Sequence, residues 1–352
     1  MIPWMEYLRD AVAHQASDVF FVAGKTACAK QEGHIRSLSE QRLLPEDTEQ
    51  IISEIYRTAG RDMEHYRQTG DDDFSFAVPG LARFRVNTYR QRGSSAAVIR
   101  LVSFDIPDWR AIGIPEPVMK LADLTSGLIL FTGTAGSGKT TTQACMIDRI
   151  NRTRDCHIVT LEDPVEFLHR HCRSIVSQRE IAIDTRDYLS ALRACLRQAP
   201  DVILLGEMRD PETIHTALTA AETGHMIIAT LHTKGAVNAV DRIIDAFPST
   251  QQQQIRVQLA TVLRTVVSQQ LLPDVGGGMT PAFEIMQASS AVRSMIRENK
   301  TYQIDNAISA GAKDGMVSMD QSIQGLYRQG RISKEVALGF ADKPEQMKRL
   351  IL

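Results

Sequence analysis

One segment limits what this chain can fold into: residues 133–140, Gly-Thr-Ala-Gly-Ser-Gly-Lys-Thr, match the pattern G-x-x-x-x-G-K-[ST]. A short apolar run at 128–131 precedes the segment, and a helical pattern from 140 to 150 follows it. A buried strand, a glycine-rich loop and a helix in this order are typical of a parallel sheet with helices on its faces.

The chemistry of this loop suits a phosphate group. The glycines at 133, 136 and 138 let backbone N–H groups converge on an anion, and Lys139 can reach the β- and γ-phosphates. The Thr140 hydroxyl can ligate Mg²⁺. We therefore expect a nucleoside triphosphate to bind through the following residues: Gly133, Thr134, Gly136, Ser137, Gly138, Lys139, Thr140 and Thr141.

Length and composition set the remaining limits. At 352 residues the chain exceeds the size that one hydrophobic core usually supports, so two domains are expected. The formal net charge of −2 gives no sign of a polyanion-binding surface, and we predict no nucleic-acid partner. Five scattered cysteines without a C-x-x-C pair favour a reducing compartment over a zinc site. No apolar run approaches the ~18 residues that span a bilayer, so we predict no direct membrane insertion.

Residues 1–103 are predicted to form an α/β domain. Apolar residues recur at helical spacing from Met5 to Val12, a strand is expected at 18–22, and a helix is expected at 45–58. A connection rich in proline follows at 104–117.

A β-hairpin is predicted later in this domain, with strands at 74–78 and 82–91 around a Pro-Gly turn. Side chains alternate along a strand, so Arg83 and Arg85 should share one face of the second strand and Phe84 the other. The arginine face is therefore predicted to be basic and the opposite face to be core.

The second domain is predicted at 118–352, with strands alternating with helices as in a parallel sheet. Strands are expected at 128–131, 157–161, 202–205 and 226–230, and helices at 140–150, 188–197 and 211–223. After about residue 235 the pattern predicts helix to the end, interrupted by a glycine loop at 276–278 and a short strand at 282–286.

Two of these strands run into carboxylates. The strand at 202–205 leads to Glu207, and the strand at 157–161 leads to Glu162, Asp163 and Glu166. In phosphoryl transfer one carboxylate can hold Mg²⁺ while another positions the attacking water. We expect both strand ends to share a site with the glycine-rich loop.

Two histidines, His225 and His232, flank the apolar strand at 226–230. A histidine beside a buried strand is more often a hydrogen-bonded structural residue than a catalyst. No third ligand at useful spacing supports a metal site. The residues by themselves therefore favour a structural role for both.

Together with the loop, four segments resemble the secretion-superfamily hexameric ATPases in their type IV pilus branch. They are TLEDPVEF at 160–167, QRE at 178–180, ALRACLRQAPDVILLGEMRD at 191–210 and TALTAAETGHMIIATLHT at 216–233. The similarity covers nearly all of residues 70–340. It implies an N-terminal PAS-like α/β domain and a C-terminal RecA-like P-loop ATPase domain.

The resemblance also implies roles in ATP hydrolysis. Glu162 is expected to act as general base on the hydrolytic water, Glu207 to support Mg²⁺, and His225 and His232 to sense or contact groups at the nucleotide site. Arginines of the N-terminal domain are expected to approach the phosphates, with Arg83 and Arg85 among four candidates that the sequence leaves open: Arg83, Arg85, Arg90 and Arg100.

Within this branch, AVRSMIRE at 291–298 is similar to a segment that marks retraction motors. The resemblance implies a cytoplasmic homohexamer that powers type IV pilus retraction and twitching motility from the inner membrane, through a platform protein of the PilC kind. The alternative is an accessory subunit similar to PilU, which supports a paralogous retraction ATPase and hydrolyses little itself. The Phe20-Phe21 pair and the His169-Arg-His171 run favour that alternative.

Overall fold

The computed structural model describes residues 3–31, 33–102 and 105–351. The chain divides into two compact units, Met1–Phe104 and Asp105–Leu352, which we call the first and second units. The predicted domain boundary at 103 and 104 falls on residues outside the described ranges. Both units combine helices with a sheet, which confirms the predicted α/β class.

The first unit is built on a six-stranded sheet. Its strands are β1 (Asp18–Val22), β2 (Thr26–Gln31), β3 (His34–Arg42), β4 (Asp71–Val78), β5 (Ala82–Gln91) and β6 (Ser94–Val102). The spatial order is β3-β2-β1-β6-β5-β4, and every neighbouring pair is antiparallel. Its helices are α1 (Trp4–Ala13), α2 (Pro45–Ala59) and α3 (Glu64–Thr69).

Helix α2 supplies much of the core of this unit. Its apolar stripe, with Ile51, Ile52 and Ile55 fully buried, belongs to one cluster with Phe84 and Val86 of β5. On β5 these core residues alternate with half-buried polar ones, as period-two alternation predicts. One face of the sheet is therefore core.

The alternate face of this sheet is polar and carries ion pairs. Arg100 Nε lies 2.9 Å from Asp18 Oδ1, and Arg85 Nε lies 3.5 Å from Asp73 Oδ1. Arg85, which the sequence placed on a basic face, thus has an acidic partner, and the face is mixed in charge.

The second unit is built on a seven-stranded sheet. Its strands are β7 (Gly127–Thr132), β8 (His157–Glu162), β9 (Ile175–Glu180), β10 (Val202–Leu205), β11 (Met226–Leu231), β12 (Leu263–Pro273) and β13 (Met279–Gln287). The spatial order is β13-β12-β7-β11-β10-β8-β9, and only the β12–β13 pair is antiparallel.

The helices of the second unit flank this sheet and continue to the C-terminal end. They are α4 (Glu116–Met119), α5 (Lys139–Thr153), α6 (Tyr188–Cys195), α7 (Pro211–Glu222), α8 (Ala236–Asp245), α9 (Ser249–Val262), α10 (Ser290–Arg297), α11 (Ile304–Ala310), α12 (Met319–Arg328), α13 (Lys334–Phe340) and α14 (Pro344–Leu350). None of the helices in the described ranges combines the length and the apolar character that crossing a bilayer requires.

Strand β7 shows why the central strands of this sheet are continuous apolar runs in the sequence. All six of its residues are buried. Leu128 and Leu130 belong to one apolar cluster, and Ile129 and Phe131 belong to another. A parallel strand covered on both faces loses the alternation that marks a half-exposed strand. The side chains that carry chemistry therefore collect beyond the carboxyl ends of the strands.

Two strands of this sheet differ from the prediction. Residues 263–273 were expected to be helical and form β12, and β9 was not predicted. Most of β12 is buried, so its sequence LRTVVSQQLLP shows no clear period of two. Strand β9, sequence IVSQRE, is a mostly polar edge strand with too little apolar pattern to identify.

Candidate functional site

A cavity of about 480 Å³ lies where the parallel strands of the second unit end. It is lined by the loop after β7, the start of α5, and the segments after β8, β10 and β11. The predicted site residues that line it are Gly136, Ser137, Gly138, Lys139, Thr140, Thr141, Glu162, Glu207 and His232. Motifs that are far apart in sequence meet here because the carboxyl ends of parallel strands share one edge of the sheet.

The glycine-rich loop is shaped by its contact with β12. Gly133 has φ 142° and Gly138 has φ 85°, a region that L side chains rarely adopt. A Cβ on Gly133 would lie 2.4 Å from the carbonyl oxygen of Gln269, and one on Gly138 would lie 2.8 Å from Gln269 Nε2. Thr142 Oγ1 donates to Gln269 Oε1 at 2.8 Å. Sequence reasoning missed Gln269 because its strand was predicted to be helix.

Lys139 lies inside the loop and is 6% exposed. Its Nζ donates to the carbonyl oxygens of Gly133 at 2.8 Å and Thr134 at 2.7 Å. Gly133 and Thr134 thus contribute carbonyl groups that hold the lysine. Burial lowers the pKa of Lys139, whereas the carboxylates of Glu166 and Glu207 raise it.

Glu162 is the last residue of β8 and is 8% exposed. Its Oε1 accepts from Thr160 Oγ1 at 2.6 Å and from Gln178 Nε2 at 3.2 Å. Burial raises the pKa of Glu162 to about 7, those two hydrogen bonds oppose the rise, and Glu166 and Glu180 add to it. A carboxylate that titrates near neutral pH is suited to take a proton from water.

Glu207 follows β10 and lines the same cavity. Its Oε1 lies 2.6 Å from Arg209 Nε and 3.6 Å from His232 Nε2, which follows β11. His232 and Glu207 are therefore neighbours, as expected if both serve one site. Arg209 was not predicted as a site residue, although it lies in the GEMRD segment.

The structure does not bring His225 to this cavity. His225 precedes β11, whereas the loop follows β7, and the two strands are parallel with Met226 opposite Gly127. Its Nδ1 lies 3.0 Å from the carbonyl oxygen of Ala220 and 3.2 Å from Thr223 Oγ1. These contacts brace the turn between α7 and β11, which is the structural role that the residues by themselves favoured.

Arg83 and Arg85 belong to the first unit, on the polar side of β5. Arg85 forms the ion pair with Asp73 that is described above. The predicted approach of these arginines to phosphate stays a prediction.

Two further residues line the cavity that the sequence did not place there, His169 and Tyr188. Burial lowers the pKa of His169 to about 4, so its ring is neutral at physiological pH. Burial, together with the carboxylates of Asp163, Glu207 and Glu162, raises the pKa of Tyr188. The sequence feature that could have identified His169 as a cavity residue was its position, two residues after the TLEDPVEF segment.

The cavity offers donors that fit Mg²⁺. Thr140 contributes a hydroxyl and Glu207 a carboxylate, and Mg²⁺ takes oxygen ligands while keeping several waters and substrate oxygens. Within the described ranges, no group of three or more His, Cys, Asp or Glu side chains could hold a metal by itself.

Comparison with known proteins agrees with this geometry. The model of the family described as type II/IV secretion system protein matches residues 2–335. The type IV pilus retraction ATPase PilT of Pseudomonas aeruginosa is 41% identical over 97% of this chain and 98% of its own length. The type IV pilus ATPase PilU of the same organism is 34% identical over 98% of this chain and 90% of its own length.

Among solved structures, the pilus retraction motor PilT with bound ADP is 42% identical and superposes with a TM-score of 0.90. That match covers 99% of this chain and 100% of the solved chain. The predicted fold class, a PAS-like α/β domain followed by a RecA-like P-loop domain, is confirmed by this likeness. The chain therefore belongs to the type II/IV secretion system protein family, in the branch of the type IV pilus retraction ATPases.

Proposed function

We propose that this chain hydrolyses ATP and that the reaction powers the retraction of type IV pili. The observation that carries the proposal is that Lys139, Glu162 and Glu207 line one cavity. A buried lysine and two carboxylates in different environments supply the groups that phosphoryl transfer requires. Relatives named for pilus retraction and twitching motility, and a solved relative with bound ADP, support the choice of reaction and of purpose.

The loop binds the triphosphate in this proposal. Backbone N–H groups around Gly136 and Gly138 face the phosphates, and Lys139 pairs with the β- and γ-phosphate oxygens. Thr140 and Glu207 would hold Mg²⁺, and His232 lies beside Glu207 at 3.6 Å. When bound, Mg²⁺ neutralises charge on the phosphate oxygens.

Glu162 acts as the general base. Its carboxylate takes a proton from water while the water oxygen forms a bond to the γ-phosphorus. The bond between that phosphorus and the oxygen bridging to the β-phosphate breaks, and ADP leaves with the bonding electron pair. We assign Arg83 and Arg85 to stabilising the charge on the transferred phosphoryl group, as arginines do in related chemistry.

The assembly proposed for this work is a cytoplasmic homohexamer. Force passes to an inner-membrane platform protein of the PilC kind, and a paralogous retraction ATPase is a further partner. An accessory role similar to that of PilU is the second candidate, and the identity with PilU, 34%, is lower than the 41% with PilT. Lys139, Glu162 and Glu207, all present in one cavity, favour independent hydrolysis over that candidate.

Turnover of the purified chain tests the enzymatic half of the proposal. Glu162→Gln is expected to lower kcat by about a hundredfold or more, since a general base contributes roughly 10²–10⁴. Lys139→Ala is also expected to lower turnover, because it removes the charge that pairs with the phosphate oxygens. The matched control is Glu345→Gln, an exposed carboxylate on α14, which should hydrolyse ATP like the wild type. Unchanged turnover in both site variants would contradict the proposed ATPase activity of this cavity. Negligible turnover of the wild type would favour the accessory role.

A deletion strain tests the biological half. Cells that keep their surface pili but stop twitching are the expected result, because pili would still be assembled and no longer drawn back. Cells without pili would contradict retraction and point to assembly instead.

A further inference from the structure

The QRE segment at 178–180 has no role in the function proposed above. It ends β9, the edge strand beside β8, and the parallel register pairs Thr160 with Gln178 and Glu162 with Glu180. Because side chains alternate between the faces of a sheet, Thr160, Glu162 and Gln178 lie on the same face.

The side chain of Gln178 joins three parts of the site. Its Nε2 donates to Glu162 Oε1 at 3.2 Å and to the carbonyl oxygen of Phe167 at 2.8 Å. Its Oε1 accepts from the backbone N–H of His169 at 2.8 Å. This network fixes the orientation of the amide, because Nε2 faces two acceptors and Oε1 faces a donor. One side chain thus ties the end of β8 to the segment that follows it.

These contacts determine which oxygen of Glu162 serves the cavity. Thr160 Oγ1 donates to the same Oε1 at 2.6 Å, so both donors hold one oxygen. In the part of the chain that the structure describes, no hydrogen bond reaches Oε2. Glu162 lines the cavity and Gln178 is not among the described residues that do so. Gln178 therefore holds the carboxylate from β9 and is not part of the described cavity lining.

We propose that Gln178 is a positioning residue that anchors Oε1 of Glu162 so that Oε2 faces the attacking water. The inference rests on the proposed function, in which Glu162 is the general base. A base works only within hydrogen-bond reach of the proton it removes, so a carboxylate that rotates away loses its effect.

Gln178 also stabilises the ionised form of Glu162. Its hydrogen bond opposes the rise of the Glu162 pKa to about 7 that burial causes, so its loss raises that pKa further. The charged and titratable groups around Glu162 are Asp163, Glu166 and His169 after β8, Glu180 on β9, Tyr188 on α6, Lys139 on α5, and Glu207 and His232 after β10 and β11. All of them stay unchanged in the variants below.

The first test is Gln178→Met, with kcat and KM for ATP measured across pH. Methionine has a similar length and removes all three hydrogen bonds. We expect kcat to fall about tenfold to a hundredfold, part of the roughly 10²–10⁴ that a general base contributes. KM should change by less than about twofold, because the three hydrogen bonds of Gln178 go to Glu162, Phe167 and His169 and not to the glycine-rich loop that binds ATP in the proposal. The acidic midpoint of the kcat profile should move to higher pH.

A second variant, Gln178→Glu, keeps the inference testable if Gln178→Met does not fold. The new carboxylate still accepts from the His169 N–H. The hydrogen bonds that Gln178 Nε2 donated to Glu162 and to the Phe167 carbonyl are lost, and a negative charge lies beside Glu162 in their place. The acidic midpoint should therefore move upward by more than it does in Gln178→Met.

The matched control is Asn151→Ala. Asn151 on α5 holds the same connection between β8 and β9, through the Arg170 carbonyl at 2.7 Å and the Cys172 N–H at 3.1 Å, and its hydrogen bonds do not reach Glu162. Its acidic midpoint should match the wild type. A midpoint that moves as far in this control, or that stays in place in both Gln178 variants, would overturn the inference.

Glu162→Gln separates this inference from the function beneath it. If Glu162→Gln keeps wild-type turnover, the proposed general base is wrong and Gln178 has nothing to position. If Glu162→Gln abolishes turnover while the Gln178 variants keep the wild-type midpoint, only the inference fails.

Discussion

The two sheets of this protein handle polar residues in opposite ways. In the second unit the central strands β7, β10 and β11 are buried on both faces, and carboxylates, lysine and histidine lie at or beyond the strand ends. In the first unit the strands alternate, and acidic and basic side chains pair along one face of the sheet.

The difference follows from strand direction. Parallel strands send all their carboxyl ends to one edge, so a few polar residues converge there in a largely buried setting. Antiparallel strands with one covered face spread their polar residues over a wide, solvated surface, where each charge is screened. A carboxylate pKa raised by burial is therefore expected at the strand ends of the parallel sheet, and Glu162 is such a case.

The largest expected effect comes from Gly133→Ala in the second unit. The new Cβ would meet the Gln269 carbonyl at 2.4 Å, at a φ of 142°. Backbone strain and overpacking of about 1–3 kcal/mol each should destabilise the loop by about 2–6 kcal/mol. Binding of a fluorescent ATP analogue measures the effect. The control is Gly277→Ala, which has φ 89°, open space and a position outside the cavity lining, and near-equal loss of binding in both would refute the steric explanation.

A buried charge in the first unit should come next. Asp72 is 6% exposed and accepts from Tyr56 Oη at 2.9 Å and from Arg61 Nη2 at 3.0 Å. Asp72→Asn should lower the free energy of unfolding by roughly 2–3 kcal/mol, because hydrogen bonds to a charged group are lost. Chemical denaturation measures this. The exposed Asp71→Asn should change little, and a loss as large there would show that burial does not set the difference.

The pH dependence of stability should distinguish Glu162 from the charges of the first unit. The pKa of Glu162 is about 7 in the folded state, above its value in the unfolded chain. The free energy of unfolding is therefore unaffected below about pH 4, where the carboxyl group is protonated in both states, and it falls as pH rises through 7. Glu162→Gln should therefore raise the thermal midpoint at about pH 8 and leave it unchanged at about pH 4. An equal difference at both pH values would contradict the raised pKa.

The smallest effect on stability is expected from Arg85→Ala. The Arg85 side chain is 40% exposed and Asp73 is 53% exposed, so this ion pair should contribute less than about 1 kcal/mol. Thermal unfolding measures the change, and ATP turnover is measured beside it. Reduced turnover with unchanged stability would support the predicted role of Arg85 at the phosphates. It would also break the contrast drawn above, since the polar face of the first sheet would then serve chemistry.

The sequence predicted the parts of the site whose pattern is local. The loop ends at Gly138, where α5 begins, and Glu162 and Glu207 stand at the ends of apolar runs. Residues 136–141, Glu162 and Glu207 line one cavity, as strand-end reasoning predicted, whereas Gly133 and Thr134 are not in its described lining. The role of Gln178, which lies in the quoted QRE segment, and the presence of Gln269 at the site were not predicted, because each side chain acts on a neighbouring element of the sheet: Gln178 on β8, and Gln269 on the loop after β7. Strand pairing in a parallel sheet leaves no pattern in the local sequence. In the sheet of the second unit, periodicity did not reveal β9 and β12.

The contact between Gln269 and the glycine-rich loop limits how modular the motif is. Thr142 and Gln269 are separated by 127 positions in sequence, and both Gly133 and Gly138 lie against Gln269. A strand, loop and helix copied into another scaffold would carry the consensus residues without the surface that shapes them. The conformation of the phosphate loop thus depends on β12. A recombinant protein that received residues 120–155 without β12 would contain the loop sequence but would lack the contacts that shape it.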